Sequence, residues 1–178
     1  MKAKTFEFTL ILKNVDETTP HLEDSLYDAG CDDALIQYRG VVYLDFDREA
    51  SSLEEAVISA IKDVKSASIL AEVASVAPEN LVTEAEIAKR LNKSRQSVSL
   101  WIKGKRRKSF PPPVMRLAEK SPLWSWSEVV KWLYDKKIIK DKKLVDEALF
   151  FVNINAALEE QDKQTRKIRH SLLERIVG

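Results

Sequence analysis

The chain has 178 residues, of which 44% are hydrophobic and 32% charged, so it is long enough for two compact domains and too apolar for disorder throughout. One cysteine and two histidines exclude a disulfide framework and leave no visible set of zinc ligands and no Cys/His nucleophile. Because no run of eighteen apolar residues and no signal peptide is visible, we expect a cytoplasmic protein without a membrane partner.

The formal net charge of +1 hides a very uneven distribution along the chain. Residues 1–76 carry 7 basic and 15 acidic side chains, for a net charge of −8. Residues 77–143 carry 17 and 7, for +10, and residues 144–178 carry 5 and 6, for −1. These shifts predict three segments: an acidic module over 1–77, a basic domain over 78–142 and a tail over 143–178.

The first segment alternates apolar and polar residues as one-sided strands do, and it also contains two stretches with helical spacing. The predicted elements are a strand over 6–12, a helix over 20–29, a hairpin over 33–38 and 41–46, a helix over 52–65 and a strand over 69–76. This order is the split βαβ arrangement, which predicts a ferredoxin-like α+β sandwich of helices on one sheet.

The same topology binds single-stranded RNA when aromatic side chains occupy its middle strands, and residues 10–15 and 39–46 have the outline of those signatures. Ile11 and Val41 stand where the stacking rings would be, and a charge of −8 would repel RNA. We therefore expect the acidic module to serve in dimerisation, in binding a basic protein or in sensing a small ligand.

Residues 83–108 contain two short amphipathic helices joined by a tight turn and followed by a dense run of cations. The apolar positions of the two helices predict a small common core of Ile87, Ala88, Leu91, Val98 and Trp101. Thr83 and Glu86 have the spacing of a capping box, and Ser94 is placed to cap the second helix. Asn92 tolerates the left-handed backbone that such a turn needs.

This segment resembles the helix-turn-helix of small prokaryotic regulators, especially the excisionase and MerR-like winged group, through Ile87-Ala88-x-x-Leu91-x-x-Ser94-x-x-Ser97-Val98-x-x-Trp101. In that group a basic loop, a Phe-Pro-x-Pro segment, a short hairpin and a further helix follow. The matching stretches here are Phe110-Pro111-Pro112-Pro113, Leu123-Trp124-Ser125-Trp126 and Glu128-Val129-Val130-Lys131-Trp132-Leu133. The resemblance covers residues 81–134 and implies a winged helix-turn-helix domain that binds double-stranded DNA.

In a helix-turn-helix domain the second helix enters the major groove by its N-terminal end. We therefore predict base contacts from Arg95, Gln96 and Ser99, with Arg95 pairing to guanine O6/N7 and Gln96 to adenine N6/N7. Contacts to the DNA backbone are predicted for two serines and five cations: Ser94, Ser97, Lys103, Lys105, Arg106, Arg107 and Lys108. The cations would add affinity without sequence choice through counterion release.

The four tryptophans fall in the basic domain, where we expect them to build the core rather than to stack on single strands. The tail has a broad apolar band over residues 144–158 and a second apolar set over 168–176. It either packs on the winged domain of its own chain or forms a two-helix dimer interface. We favour a homodimer, because a single recognition helix commonly needs two half-sites.

The sequence thus predicts a dimeric, sequence-specific DNA-binding transcriptional regulator of a prokaryote. We expect no enzymatic activity, no metal and no cofactor, because neither a nucleophile cluster nor a glycine-rich phosphate loop is visible. Two alternatives remain open. An antitoxin-type protein would use residues 1–77 to neutralise a cationic partner and would bind DNA to regulate its own operon. An architectural, excisionase-like recombination factor would bend DNA strongly.

Overall fold

Four strands in the N-terminal part of the chain pair into one antiparallel sheet in the computed structural model, which describes residues 3–161 and 163–177 and, for residues 163 and 164, the backbone alone. The strands are β1 (Lys4–Lys13), β2 (Ala34–Tyr38), β3 (Val42–Ala50) and β4 (Glu72–Ala77), in the order β2-β3-β1-β4. The helices between them are α1 (Leu22–Asp28) and α2 (Leu53–Ser66). The mixed α+β class and the predicted order of elements are confirmed.

The described residues form two compact units. The first contains the residues up to Pro78 together with those from Asn153 on, and the second is Glu79–Val152. The second unit contains β5 (Leu81–Val82), α3 (Glu84–Arg90), α4 (Arg95–Ile102), β6 (Trp124–Ser125) and α5 (Trp126–Asp135). Helix α6 (Lys143–Gln161) contributes residues to both units, and α7 (Lys163–Val177) belongs to the first. The charge pattern divides the chain after residues 77 and 142, whereas the two units meet in sequence after residues 78 and 152.

The core of the first unit follows from the two-residue period of its strands. Even-numbered side chains in the middle of β1 and β3, such as Leu10 and Leu44, are buried and pair across the sheet. The rings of Phe8 and Phe46 stack there with centroids 5.1 Å apart. Helix α2 turns one apolar stripe toward the core through Ala56, Val57, Ala60, Ile61 and Val64. The odd-numbered residues consequently occupy the opposite face of the sheet.

A buried arginine joins β3 to the helical side of the first unit. The Nε and Nη2 atoms of Arg48 donate to Asp33 at 2.8 Å each, and its Nη1 donates to Asp63 at 2.6 Å and to Ser59 at 3.1 Å. Nη2 also donates to the carbonyl oxygen of Gly30 at 2.7 Å. Burial lowers the pKa of Arg48, but the hydrogen bonds and charges of the two carboxylates outweigh it and raise the pKa above its usual value. The guanidinium therefore stays charged and fully bonded.

Asn155 of α6 closes part of the outer edge of the sheet. Its amide oxygen accepts from the backbone N–H of Val76 at 2.7 Å, and its amide nitrogen donates to the carbonyl oxygen of Val76 at 2.9 Å. This pair satisfies the outward backbone groups of an edge strand as a neighbouring strand would. The residue lies inside the predicted apolar band, where its polar side chain has a structural task.

Apolar residues from every element of the second unit meet in one core. All four tryptophans are buried there, as predicted, together with Val82, Ile87, Val98, Val129 and Leu133. Val145 and Ala148 from the first half of α6 belong to the same core. The tryptophan rings are thus packing residues, and a unit of this small size needs such large side chains to bury enough surface.

Among residues 3–161 and 163–177, no helix combines the length and the apolar character that spanning a bilayer requires.

Candidate nucleic-acid interface

Helix α3 begins at a complete capping box. The side chain of Thr83 accepts from the backbone N–H of Glu86, and the Glu86 carboxylate accepts from the backbone N–H of Thr83 at 2.7 Å. These hydrogen bonds lower the pKa of Glu86, the backbone N–H being the main cause, so the box is closed at neutral pH. The predicted start of the first helix is confirmed.

The turn between α3 and α4 is held by the backbone itself. Asn92 has a φ of 50°, in the left-handed region, as its sequence position predicts. The N–H of Asn92 donates to the carbonyl oxygen of Lys89 at 3.1 Å, and that of Lys93 to Ala88 at 2.9 Å. This is the Schellman arrangement, in which a residue with positive φ satisfies the last carbonyl groups of a helix. The chain can therefore begin α4 at Arg95, only two residues after Lys93.

Helix α4 is fixed by a cap and a buried face. Ser94 accepts from the backbone N–H of Ser97 at 3.2 Å, which confirms its predicted role as N-cap. Val98 and Trp101 are buried against α3 and α5 residues of the core, with 0% and 5% of their surface exposed. The rings of Trp101 and Trp132 also contact each other, with centroids 6.0 Å apart, and this contact further fixes α4 against α5. These contacts fix which side of α4 faces the core.

The predicted base-contacting residues lie on the other face of α4. Arg95 and Gln96 are exposed, and Ser99, one turn further, is half-buried. None of the three has a side-chain hydrogen bond or ion pair within residues 3–161 and 163–177. Since the opposite face is locked into the core, these side chains project from a rigid support.

The first turn of α4 has no negative charge. Helices α1, α2, α3, α5 and α6 all carry an acidic residue in the first turn, whereas α4 and α7 have none, and α4 begins with Arg95. A cation at the positive end of a helix dipole is unfavourable by some tenths of a kcal/mol, and an anion there is favourable. The first turn of α4 is therefore electrostatically suited to a phosphate or to electron-rich base edges.

The basic loop begins at the end of α4. Gly104, with a φ of 65°, makes a second Schellman turn, in which the N–H of Lys105 donates to the carbonyl oxygen of Leu100 at 2.9 Å. The cations predicted to contact phosphate are all exposed, and none forms an ion pair with another described residue: Lys103, Lys105, Arg106, Arg107 and Lys108. The loop thus presents five adjacent unpaired charges, which an anionic partner would relieve.

The far end of this loop is anchored to the core. The indole N–H of Trp132 donates to the carbonyl oxygen of Lys108 at 3.3 Å. The ring of Phe110 meets Trp132 edge-on at 5.0 Å, so the loop is tied at both ends. The loop therefore leaves the C-terminal end of α4 and returns to the core at Phe110.

A short hairpin follows the three prolines. Met115 and Leu123 form an antiparallel bridge, and the N–H of Val114 donates to the carbonyl oxygen of Leu123 at 2.7 Å. Arg116 and Lys120 lie exposed in the connecting loop and are absent from the predicted contact set. The sequence signal for them was the pair of prolines, Pro113 and Pro122, because prolines commonly mark turns and loops at the two ends of a short segment.

Asn80 is a second residue that sequence reasoning missed. Its side-chain oxygen accepts from the backbone N–H of Ser127 at 2.8 Å, and its side-chain nitrogen donates to the hydroxyl of Ser125 at 3.1 Å. Its carbonyl oxygen accepts from the N–H of Trp126 at 2.6 Å. The start of α5 is thereby joined to β5, so the hairpin emerges from a fixed base.

Arg90 is a cation of this unit that serves the fold instead of a ligand. Its guanidinium lies 5.1 Å from the ring centroid of Trp126, and Nη2 donates to the carbonyl oxygen of Glu79 at 3.0 Å. Burial lowers the pKa of Arg90, but a guanidinium group still stays protonated in water. Half-buried and stacked, Arg90 is unavailable as a phosphate contact.

Within the described residues, no group of three or more histidine, cysteine, aspartate or glutamate side chains could hold a metal ion. Asp45 of β3 accepts from the Thr9 hydroxyl at 2.6 Å and from the Gln37 side-chain nitrogen at 2.5 Å, so it serves the sheet. The exposed face of α4 and the basic loop remain the most distinctive polar surface of the chain. The chain matches no protein-family model, no curated protein and no solved structure.

Proposed function

We propose that this protein is a sequence-specific, double-stranded DNA-binding transcriptional regulator that acts as a homodimer. One observation carries the proposal. The first turn of α4 presents Arg95 and Gln96 without side-chain partners among the described residues, while Val98 and Trp101 lock the same helix into the core. A rigid helix with exposed, unpaired readers at its N-terminal end is what major-groove recognition requires.

The chemistry of the exposed residues supports base readout. Arginine can donate two hydrogen bonds to guanine O6 and N7, and glutamine can pair with adenine N6 and N7. Arg95 and Ser99 of α4 and its C-cap residue Lys103 follow one another at intervals of four residues, so they lie along one side of the helix. The proposed order of contacts runs from base edges at Arg95 to the DNA backbone at Lys103.

The two flanking structures support a winged helix-turn-helix domain. The basic loop carries Lys105, Arg106, Arg107 and Lys108 directly after the C-terminal end of α4, and the hairpin loop carries Arg116 and Lys120. Cations at these places would contact phosphates on both sides of the groove that α4 occupies, and they supply affinity that depends on salt.

For the first unit we propose a ferredoxin-like sandwich. The element order βαββαβ and the antiparallel strand order β2-β3-β1-β4 support it. Its role in this proposal is to join two copies, because two half-sites raise affinity and specificity over one.

Selection from a random duplex library with the full-length protein tests the proposed function. We expect an enriched site that contains a guanine, and we expect Arg95→Ala to weaken binding to that site by about 1–3 kcal/mol, or roughly 5- to 150-fold. The matched control is Arg39→Ala, which removes an exposed arginine from the first unit. No enrichment, or equal losses for both variants, would contradict the proposal.

A further inference from the structure

Helix α7 carries an apolar stripe whose side chains are about half to three-quarters exposed. Ile168, Leu172 and Ile176 follow one another at four-residue spacing, and they are 54%, 47% and 78% exposed. Side chains of this size seldom line one side of a helix in contact with water alone. We call these three residues the α7 stripe and ask which surface would bury them.

The charge of α7 disfavours pairing with another α7. Residues 163–177 contain five basic side chains and one acidic side chain, for a formal charge of +4. Arg166 and Arg175 are exposed, and neither has an ion-pair partner in the described part of the chain. Two such helices would repel each other along their length, so the complementary surface should be acidic.

The first unit contains a concave surface of that character on the side of the sheet away from α2. We call it the open face. It encloses a cavity of about 450 Å³, lined among others by Glu7, Thr9, Leu35, Asp45, Asp47 and Ala77. Leu35 is 64% exposed although it sits in a strand, so the open face offers apolar contact as well as charge.

Two carboxylates at one end of the open face lack a cation. Glu7 of β1 and Asp47 of β3 are direct cross-strand partners and point to the same side. Like charges at such positions destabilise a sheet, and neither carboxylate forms an ion pair with another described residue. A cation from outside the unit would remove this repulsion.

We propose that the α7 stripe of one copy docks on the open face of a second copy, and that the reverse contact forms at the same time. Arg166 and Arg175 flank the α7 stripe on opposite sides of the helix, so both would then lie over the acidic surface that contains Glu7, Asp45 and Asp47. The dimensions agree, because 15 helical residues span about 22 Å and four strands span about 15–19 Å. Such a reciprocal exchange closes into a two-fold dimer.

This inference rests on the proposed function only in its need for a homodimer, and it names the surfaces that form it. Light scattering of the full-length protein without DNA therefore tests it independently of DNA recognition. We expect the wild-type protein to have twice the 20.3 kDa mass of one chain. A monomeric wild-type protein would overturn the inference.

Two charge-reversed variants locate the contact. The first, Glu7→Lys with Asp47→Lys, makes the open face basic, and the second, Arg166→Glu with Lys167→Glu and Arg175→Glu, changes the formal charge of residues 163–177 from +4 to −2. Each variant alone would place like charges together, so we expect each to be monomeric. Mixed in equal amounts, they restore both opposite-charge contacts, and we expect a dimer. Recovery on mixing also shows that both variants are folded.

The outcomes separate this arrangement from others. If the open-face variant alone stays dimeric, α7 binds elsewhere or pairs with itself, and the inference is wrong. A mixture that remains monomeric overturns it as well. The control, Asp28→Lys with Glu160→Lys, makes the same charge change at exposed positions of the first unit away from the open face, and it should remain dimeric. Loss of the dimer with intact DNA selectivity would reject the docking surface alone.

Discussion

Arg48 in the first unit is enclosed by two carboxylates, a hydroxyl and a carbonyl oxygen, whereas Arg95 in the second unit has no such partner among the residues described. The side chain of Arg48 is 9% exposed, and it connects a strand to a loop and a helix. A cation with internal partners is part of the fold. Cations without partners among the described residues, as on α4 and in the basic loop, are the basis of the proposed DNA interface.

The largest effect on stability is expected in the first unit, when the charge of Arg48 is removed. Arg48→Met keeps the bulk of the side chain but leaves Asp33 and Asp63 without their cation, and we expect a loss of about 3–5 kcal/mol in unfolding free energy. Far-UV circular dichroism in a urea titration measures it. Lys62→Met, an exposed position of α2, is the control and should change stability by less than about 0.5 kcal/mol. Equal stabilities would show that the network is not structural.

The alkylation rate of the Cys31 thiol tests the burial and the charge of the same region. Burial first, and then the negative charge of Asp63, raise the pKa of its thiol to about 11 from a usual 9.0. Since the thiolate is the reacting form, alkylation of the folded protein at pH 8 should be roughly 100-fold slower than that of the urea-unfolded protein. The rate should still rise with pH above 9, where an ordinary thiol levels off. Equal rates in both states would contradict this account of the site.

In the second unit a smaller loss is expected from the capping box. Thr83→Ala removes the acceptor at the start of α3 and should destabilise the unit by about 1 kcal/mol. Tryptophan fluorescence measures this unit alone, because all four tryptophans belong to it. Ser121→Ala, at an exposed position of the hairpin loop, is the control. A loss as small as that of the control would mean that the box does not hold the helix.

The smallest effect is expected from the loss of one phosphate contact. It distinguishes contacts that read the DNA sequence from contacts that form with any sequence. Lys105→Ala removes one proposed phosphate contact, and we expect the slope of log K against log salt to fall by about 0.9. Binding should weaken alike on cognate and unrelated duplexes, whereas Arg95→Ala should weaken the cognate site only. A Lys105 variant that changes sequence preference would place this residue at the bases.

The sequence predicted most of what is local in both units. The capping box at Thr83, the left-handed turn at Asn92 and the cap at Ser94 each depend on residues within a few positions, so their chemistry is visible in the sequence. The alternation of β1 and the stripe of α2 likewise follow from strand and helix periods.

The contacts between distant positions could not be predicted. Arg48 meets partners 11 to 18 residues away, and Asn80 meets Ser125 and Ser127 after 45 and 47 residues. Asn155 bonds Val76 across 79 residues. Such partners are set by the tertiary arrangement, which no local pattern encodes. For the same reason, the basic residues of the hairpin loop became candidates only once the bridge at Met115 and Leu123 was known.

The central claim is that the first turn of α4 reads base edges in the major groove. A double-mutant cycle between Arg95→Ala and 7-deazaguanine, introduced at each guanine of the selected site, tests it most directly, because that base lacks the N7 acceptor. We predict one guanine at which the base change weakens binding of the wild-type protein and has no further effect on the Arg95→Ala variant. Losses that add independently at every guanine would contradict the claim.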